Sequence, residues 1–371
     1  MATENNTFRT SNSPWLPKGR GATSNDTGRF EKLKRSSVQD GWLREEDKPS
    51  LKTYVTEEHA KHIISRNSSP DIPFDRSVNA YRGCEHGCVY CYARPTHAFM
   101  GLSPGLDFES RLFAKPNAAE LLEAEISAKN YVPKAIAMGT NTDPYQPLEK
   151  ERRITRSLLK VLAKYEHPCT ILTKSRLIVR DLDLIAPMAE KGLVKVGLSV
   201  TTLDRKLARL MEPRASTPQR RLDAIKLLSD ADVPTAVMFA PLIPALNDHE
   251  MEAVLSAAEH AGAKEAGYIL LRLPEEVSGL FEDWLEAHYP DRKKRVLNRL
   301  AALRGGKMND PRFKHRMKGS GFEAALMRQR FSNLCRRLHL DHDKMALDTS
   351  KFKKPVLKGG QYSLLDALGT G

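Results

Sequence analysis

The chain has 371 residues, 40% of them hydrophobic and 28% charged, and its formal net charge is +13 at pH 7. This is the composition of a globular protein with one large domain or two ordinary ones. Because no apolar run reaches the roughly 20 residues that cross a bilayer, and the first residues lack the pattern of a secretion signal, the sequence predicts a cytoplasmic protein with no membrane partner.

The N-terminal region, residues 1–50, is rich in Asn, Ser, Thr, Gly and charged residues. We expect this region to be disordered, since it has little apolar periodicity from which to form a core. From about residue 70, short apolar runs alternate with amphipathic helical patterns. The predicted strands are 77–81, 135–138, 169–173, 194–200, 235–240 and 267–272. The predicted helices between them are 117–128, 154–165, 181–191, 217–230 and 248–261.

Repeated strand–helix units imply parallel strands that are joined by right-handed crossovers. We therefore predict an α/β fold over residues 70–275, arranged as a closed or partly open barrel with its functional groups at the C-terminal ends of the strands. A doubly wound open sheet is the alternative. Thr217 and Asp248 are the expected N-caps of the last two helices, because their side chains can accept hydrogen bonds from free backbone N–H groups.

After residue 275 the strand patterns end and three helical patterns follow, at 277–288, 292–303 and 322–338. Residues 291–340 contain fifteen Lys or Arg and three acids, a net charge of +12. We predict a basic helical appendage over 276–345, followed by a flexible tail over 346–371. Charge this concentrated favours nucleic-acid binding through 292–337, and a set of solvated basic helices is the alternative. The interleaved aromatic residues available for stacking or packing are Phe313, Phe322 and Phe331.

Three of the five cysteines, Cys84, Cys88 and Cys91, lie within eight residues directly after the first predicted strand. Thiolates at this spacing on one loop can bind a single soft metal centre. Gly83 and Gly87 would let the backbone turn tightly around such a centre. Three protein ligands leave one iron of a 4Fe–4S cluster open to a cofactor.

Zinc is the alternative metal, and a closed zinc site would need His86 or His97 as its fourth ligand. The remaining cysteines, Cys169 and Cys335, fall in a predicted strand and in the last predicted helix. We expect both to be structural.

The segment around the three cysteines resembles the signature of the radical S-adenosylmethionine (radical SAM) superfamily. The resemblance implies a partial (β/α)6 barrel of the radical SAM type. It also implies a 4Fe–4S cluster held by Cys84, Cys88 and Cys91, and S-adenosylmethionine bound to the fourth iron. Such an enzyme cleaves the cofactor to a 5′-deoxyadenosyl radical, which abstracts hydrogen from the substrate, and it needs an electron donor such as flavodoxin or ferredoxin.

The resemblance covers about residues 75–275 and is closest to the branch that contains spore photoproduct lyase. Five segments carry it: 91–94, 139–147, 172–174, 198–201 and 212–221. By this resemblance, Tyr90 lies beside the adenine, while Lys174, Ser199 and Arg221 contact the methionine carboxylate or the ribose. The complete set of cofactor-binding residues that it implies is Tyr90, Thr140, Lys174, Ser199, Glu212 and Arg221.

One departure from this branch concerns the hydrogen donor. Spore photoproduct lyase carries a cysteine after its second strand, whereas this chain has Thr140 and Asn141 there, which argues against the same thymine-dimer reversal. We take Asn141 and Tyr92 as the candidate catalytic residues, with aromatic packing as the alternative for Tyr92. The sequence therefore favours a radical SAM enzyme that repairs or modifies nucleic acid. The alternatives are a radical SAM enzyme acting on a protein or small metabolite, and a metal-stabilised nucleic-acid-binding module without catalysis.

The tail contains one further motif, from Gln361 to Leu365. It resembles the short peptide by which bacterial repair and replication proteins bind the DNA sliding clamp. Leu364 and Leu365 would fill an apolar pocket while Gln361 bonds at its edge. The alternative is a tail that packs on its own barrel or frays.

Overall fold

The computed structural model describes residues 19–31, 51–341 and 346–355. In chain order its strands are β1 (Tyr54–Glu57), β2 (Ile64–Arg66), β3 (Arg76–Val78), β4 (Tyr81–Arg82), β5 (Arg111–Ala114), β6 (Ile136–Met138), β7 (Cys169–Thr173), β8 (Val194–Ser199), β9 (Thr235–Leu242) and β10 (Glu265–Leu270). Its α-helices are α1 (Asp107–Ser110), α2 (Ala118–Ser127), α3 (Glu149–Arg152), α4 (Ile154–Lys164), α5 (Leu182–Glu190), α6 (Arg205–Met211), α7 (Pro218–Ser229), α8 (Met251–His260), α9 (Val277–His288), α10 (Pro290–Ala302) and α11 (Gly321–Arg337).

A seven-stranded sheet forms the centre of the molecule, in the order β2-β3-β6-β7-β8-β9-β10. β2 runs antiparallel to β3, and the other pairs are all parallel. The six parallel strands are the six that the sequence predicts, and α2, α4, α5, α7 and α8 fall between them. Because β2 and β10 do not pair with each other in the described chain, the barrel is partial. The predicted partial (β/α)6 barrel is confirmed.

The helices cover the sheet because each has one apolar face. In α4, Ile154, Leu158 and Leu162 recur every four residues, and all three are buried, as expected of an amphipathic helix on a sheet. Two predicted helix caps are wrong. Thr217 stands at the N-cap of α7, but its side chain makes no capping hydrogen bond. α8 begins at Met251, after a short 3-10 helix over Asp248–Glu250, so Asp248 is not its N-cap, and the Asp248 carboxylate pairs with Arg299 at 3.0 Å instead.

A small second sheet, in the order β1-β5-β4, lies beside the barrel. Residues 19–31 pack next to it, although they belong to the region that the sequence predicts to be disordered. The backbone N–H groups of Gly21 and Ala22 donate to the buried Glu109 carboxylate at 2.9 and 2.8 Å. Arg20 donates to the Glu109 carbonyl oxygen at 2.6 Å. These bonds fix the segment, because a buried carboxylate needs donors.

The connection between α10 and α11, residues 303–320, is named here the bridging loop. On one side, Arg304 donates to the Leu270 and Leu271 carbonyl oxygens at the end of β10. The Met317 carbonyl oxygen also accepts from Leu270 N at 2.9 Å. On the other side, Arg316 Nε donates to Asp71 Oδ2, between β2 and β3, at 2.6 Å. The bridging loop therefore connects the two edges of the open sheet. Part of the predicted appendage therefore spans the gap between the two edges of the partial barrel.

Residues 346–355 belong to the predicted flexible tail, yet they pack against the barrel. Asp348 N donates to the Gly192 carbonyl oxygen at 3.0 Å, and Lys353 N donates to that of Tyr165 at 2.9 Å. The motif from Gln361 to Leu365 lies outside the described residues. No helix in the described chain combines the length and apolar character needed to cross a bilayer.

Candidate functional site

The cysteine loop, residues 83–92, begins at the end of β4. Gly83 and Gly87 have φ values of 75° and 67°, which favour glycine. Cys84 and Cys88 are buried, Cys91 is partly exposed, and none of the three is in a disulfide. Burial and the nearby charges of Asp143, Cys88 and Cys91 raise the pKa of the Cys84 thiol, so the three thiols lie within electrostatic reach of one another.

This donor set fits an iron–sulfur cluster. Three thiols lie on one glycine-containing loop. Burial raises the pKa of the Cys88 thiol to about 12, and the positive charge of Lys174 acts in the opposite direction because it favours the thiolate. Within the described residues, no group of three His, Cys, Asp or Glu is compact enough to hold a single metal ion. A cluster does not need such a group, because each thiolate binds a different iron.

Arg94 fixes the inner side of the cysteine loop. Its side chain is fully buried and pairs with the buried Glu109 carboxylate. The guanidinium also donates, at 2.8 to 3.2 Å, to the backbone oxygens of Gly87, Cys88, Pro104 and Gly105. Since Glu109 binds Gly21 and Ala22 as well, one buried ion pair connects the N-terminal segment to the cysteine loop. A Cβ on Gly21 would lie 1.8 Å from the Gly87 carbonyl oxygen.

The segment after β6 fixes the start of the cysteine loop. Thr142 Oγ1 donates to the Gly83 carbonyl oxygen at 2.6 Å, and Gln146 Nε2 donates to the same oxygen at 3.3 Å. Gln146 Oε1 accepts from Glu85 N at 2.9 Å. Partners of this kind orient metal ligands without touching the metal. Neither residue is among the predicted site residues.

A third missed residue is Asp143, between Thr142 and β7. Its carboxylate accepts from Thr173 Oγ1 at 2.6 Å and from Lys174 N at 2.8 Å, and His86 Nδ1 lies 3.2 Å away. Burial alone would raise the pKa of Asp143, but His86 and these donors lower it to about 2. The carboxylate thus connects the ends of β6 and β7 with the cysteine loop. Its position five residues after the end of a predicted strand was the available signal.

Glu212 organises most of the predicted cofactor-binding residues. Its buried carboxylate accepts from Thr201 Oγ1 at 2.6 Å, from the Tyr90 hydroxyl and from Arg221. Burial would raise the pKa of Glu212, but the charges of Arg221 and Lys174 hold it below its usual range.

Arg221 and Lys174 have different surroundings in this group. Arg221 is buried and donates to the Ser199 and Ser216 carbonyl oxygens, at 2.9 and 2.7 Å, as well as to Glu212. The Lys174 ammonium lies 5.9 Å from the centre of the Tyr90 ring and has no hydrogen bond or ion pair within the described residues. Burial would lower the pKa of Lys174, but Cys88 and Glu212 raise it. Lys174 is therefore the cation that is free to bind an anionic ligand group.

The predicted catalytic residues meet at the ends of β3 and β6. Asn79, which the sequence analysis missed, accepts from Asn141 N at 3.0 Å and donates to Thr140 Oγ1 at 3.2 Å. The Tyr92 hydroxyl donates to the Thr140 carbonyl oxygen. Tyr92 is 50% exposed, and the Arg272 guanidinium lies 5.8 Å from its ring centre. Tyr92, Asn79, Thr140 and Asn141 therefore form one hydrogen-bonded group, and the catalytic role of Tyr92 and Asn141 stays a prediction.

Comparison with known proteins gives a family model and several relatives. Residues 78–258 match the model of the radical SAM superfamily. An uncharacterized protein of Mycobacterium tuberculosis (strain ATCC 25618 / H37Rv) is 37% identical over 222 residues, 59% of this chain and 65% of that protein. The match thus spans slightly less than two thirds of that relative. An uncharacterized protein of Methanocaldococcus jannaschii is 28% identical over 66% of this chain and 87% of that protein.

Solved structures of spore photoproduct lyase have a similar fold. A variant of that enzyme matches with a TM-score of 0.55 at 16% identity, covering 76% of this chain and 79% of the lyase. Another structure, spore photoproduct lyase complexed with dinucleoside spore photoproduct, matches with a TM-score of 0.54 at 14% identity over the same shares.

Proposed function

Residues 78–258 of this chain form a radical SAM domain, and we propose that the protein is a radical SAM enzyme that acts on nucleic acid. In this proposal Cys84, Cys88 and Cys91 hold a 4Fe–4S cluster. The bound cluster and S-adenosylmethionine supply reductive cleavage of the cofactor and hydrogen abstraction from the substrate. The observation that carries the chemistry is the set of three unpaired thiols on a loop fixed by Arg94 and Gln146.

The residues of this chain hold the cofactor and exclude water. Lys174 is a half-buried cation with no hydrogen bond or ion pair to an acceptor in the described chain, so its ammonium can pair with a ligand carboxylate. It lies over the Tyr90 ring, and the Tyr90 hydroxyl donates to Glu212. Arg221 positions Glu212 rather than presenting a free cation. Burial of Cys84 and Cys88 keeps solvent from a centre that reacts through radicals.

Exposed aromatic and basic residues beside the barrel mouth support a nucleic-acid substrate. In the bridging loop Phe313 is 52% exposed, and the Arg316 guanidinium lies 4.8 Å from its ring centre. Phe322 is 80% exposed. Exposed aromatic rings next to cations are the surfaces on which unpaired bases stack. Phe331 instead packs on Tyr268, with ring centres 4.7 Å apart.

Transfer of labelled hydrogen from substrate to cofactor product tests this proposal. The reconstituted enzyme is incubated without oxygen with DNA, RNA and protein fractions that carry deuterium, and 5′-deoxyadenosine is analysed by mass spectrometry. We expect label from a nucleic-acid fraction. Label from protein or metabolites alone would refute the nucleic-acid substrate, and absence of S-adenosylmethionine cleavage would refute the enzyme assignment.

Two partners belong to the same proposal. An external electron donor such as flavodoxin or ferredoxin would reduce the cluster. The tail from Gln361 to Leu365 would bind the sliding clamp, which would connect the enzyme to DNA maintenance. Fluorescence polarisation of the last twenty residues with the clamp tests the second partner. Binding that is unchanged in a peptide with Gln361→Ala, Leu364→Ala and Leu365→Ala would refute it.

A further inference from the structure

A cavity of about 520 Å³ lies on the outer side of the cysteine loop. Its walls come from the loop itself through His86, from the segment after β6, from the 3-10 helix that follows β7, and from the segment that leads into α7. None of the proposed cofactor-binding residues lines it. The cavity is therefore a second site, and its size is that of ordinary small-molecule pockets.

The walls of this cavity are cationic. Five basic side chains line it and no carboxylate does: Lys150, Arg176, Arg180, Arg214 and Arg220. Two of them are already paired, since Arg180 pairs with Glu149 and Arg214 with Glu85 at 2.8 and 3.2 Å. Within the described chain the other three have no ion pair. A ligand that neutralises these three positive charges must carry more than one negative charge. A single carboxylate carries only one.

Neutral groups of the same cavity suit phosphate oxygens and an attached organic group. Ser175 Oγ and Ser216 Oγ accept backbone bonds from Leu177 N and Arg176 N, at 3.2 and 2.9 Å, so each hydroxyl hydrogen is available for donation. Arginine forks match phosphate with two parallel bonds. The apolar part of the lining consists of Tyr145, Pro147, Leu177 and Val179.

We infer that this cavity binds the phosphate groups of a nucleotide unit, with Lys150, Arg176 and Arg220 as the principal cations. The phosphate comes either from a free nucleoside polyphosphate or from a nucleic-acid strand. The site adjoins the metal-binding loop, because Arg214 N donates to the His86 carbonyl oxygen at 3.3 Å. Binding here does not require radical chemistry, so this inference and the proposed function can fail independently.

Fluorescence anisotropy on the full chain tests the site with two labelled probes, a nucleoside triphosphate and a single-stranded oligonucleotide. The test variant is Arg176→Glu with Arg220→Glu, two exposed side chains whose reversal leaves the core intact. The matched control is Lys160→Glu with Lys264→Glu, two exposed lysines that do not line the cavity. We expect the test variant to bind at least one probe tenfold more weakly or worse, with a shallower dependence on salt, and the control to bind like the wild type.

The two probes distinguish the sources of the phosphate. Saturable binding of the triphosphate that also displaces the oligonucleotide identifies a free nucleotide. Binding of the oligonucleotide alone, lost in the test variant, identifies a strand. Unchanged binding in the test variant, an equal loss in the control, or no saturable binding of either probe would overturn the inference.

Discussion

The cysteine loop and the basic C-terminal segment are both conspicuous in the sequence, yet the structure uses their charged and reactive groups differently. In the loop, the three cysteines remain unpaired, and residues from distant parts of the chain fix the backbone around them. In residues 291–340, the structure pairs many of the cations with acids elsewhere. Short spacing therefore predicts correctly that the three cysteines share one loop, whereas a count of charges overstates how many cations are free to bind a ligand.

Four arginines of the basic segment illustrate the difference. Arg299 pairs with Asp248 and Glu323, and Arg330 pairs with Glu252. Arg304 is buried and donates to backbone oxygens of residues 270 and 271. Arg316 holds the bridging loop to Asp71. These cations stabilise the barrel, so the surface available to nucleic acid is smaller than the net charge of +12 implies.

The largest expected effect comes from removing the buried cation beneath the cysteine loop. Arg94→Met leaves Glu109 buried without its partner and should lower the free energy of unfolding by about 3–5 kcal/mol. The released loop should also lose iron. Urea unfolding and iron content measure both effects, with exposed Arg292→Met as the control. A stable Arg94→Met protein that retains iron would show that the ion pair does not fix the loop.

Acid should weaken the region beneath the cysteine loop. Burial, only partly opposed by the Arg111 carbonyl oxygen, lowers the pKa of His97 from 6.5 to about 4. The folded state therefore favours neutral His97. The contribution of this side chain to the free energy of unfolding is fully present above pH 6.5 and is lost as the pH falls toward 4. A shift of this size corresponds to about 3 kcal/mol.

Unfolding measured at pH 7 and pH 5 tests this contribution. His97→Asn should flatten the pH dependence, while exposed His260→Asn should leave it unchanged. If the pH dependence of His97→Asn equals that of the wild type, the loss of stability in acid does not come from this side chain.

A smaller effect on stability is expected from a substitution where the N-terminal segment contacts the cysteine loop. Gly21→Ala places a methyl group against the Gly87 carbonyl oxygen, so the segment must move, at a cost of about 1–3 kcal/mol. Gly19→Ala is a control for the clash alone: no atom lies within 4 Å of its Cβ position, and the strain of a Cβ at its φ of 73° does not press on the Gly87 carbonyl oxygen. We expect lower iron retention after reconstitution for Gly21→Ala only. Equal retention in the two variants would mean that residues 19–22 do not support the loop.

The smallest effect on stability is expected from the exposed part of the basic segment. Arg292→Glu with Lys294→Glu and Arg295→Glu should change the free energy of unfolding by less than about 0.5 kcal/mol per residue. It should weaken oligonucleotide binding and reduce its salt dependence. Lys293 is left unchanged, since it pairs with Glu286 at 3.0 Å. An unchanged salt dependence would make these residues a solvated surface.

Much of the barrel could be predicted because its strands and helices are encoded by local apolar periods. β7 has its predicted bounds, and α4 differs from its prediction by one residue at one end. The three cysteines could be identified because their spacing is local too. The family resemblance placed both Tyr90 and Glu212 among the predicted cofactor-binding residues, and the structure shows them hydrogen-bonded to each other. Their contact with the cofactor stays a prediction.

The buried polar residues could not be predicted in the same way. Arg94 and Glu109 are fifteen residues apart, and Glu109 contacts Gly21 and Ala22 across more than eighty. Pairings over such separations leave no local pattern. The bridging loop was missed for the same reason, since Asp71 and Arg316 are 245 residues apart.

The most direct test of the central claim compares two cysteine variants after anaerobic reconstitution with iron and sulfide. Iron content, absorption of the cluster and 5′-deoxyadenosine formation from S-adenosylmethionine are measured together. We expect the wild type and Cys335→Ala to bind iron and cleave the cofactor, and Cys88→Ala to do neither. Retained cleavage in Cys88→Ala, or a wild-type protein that binds zinc and never cleaves the cofactor, would contradict it.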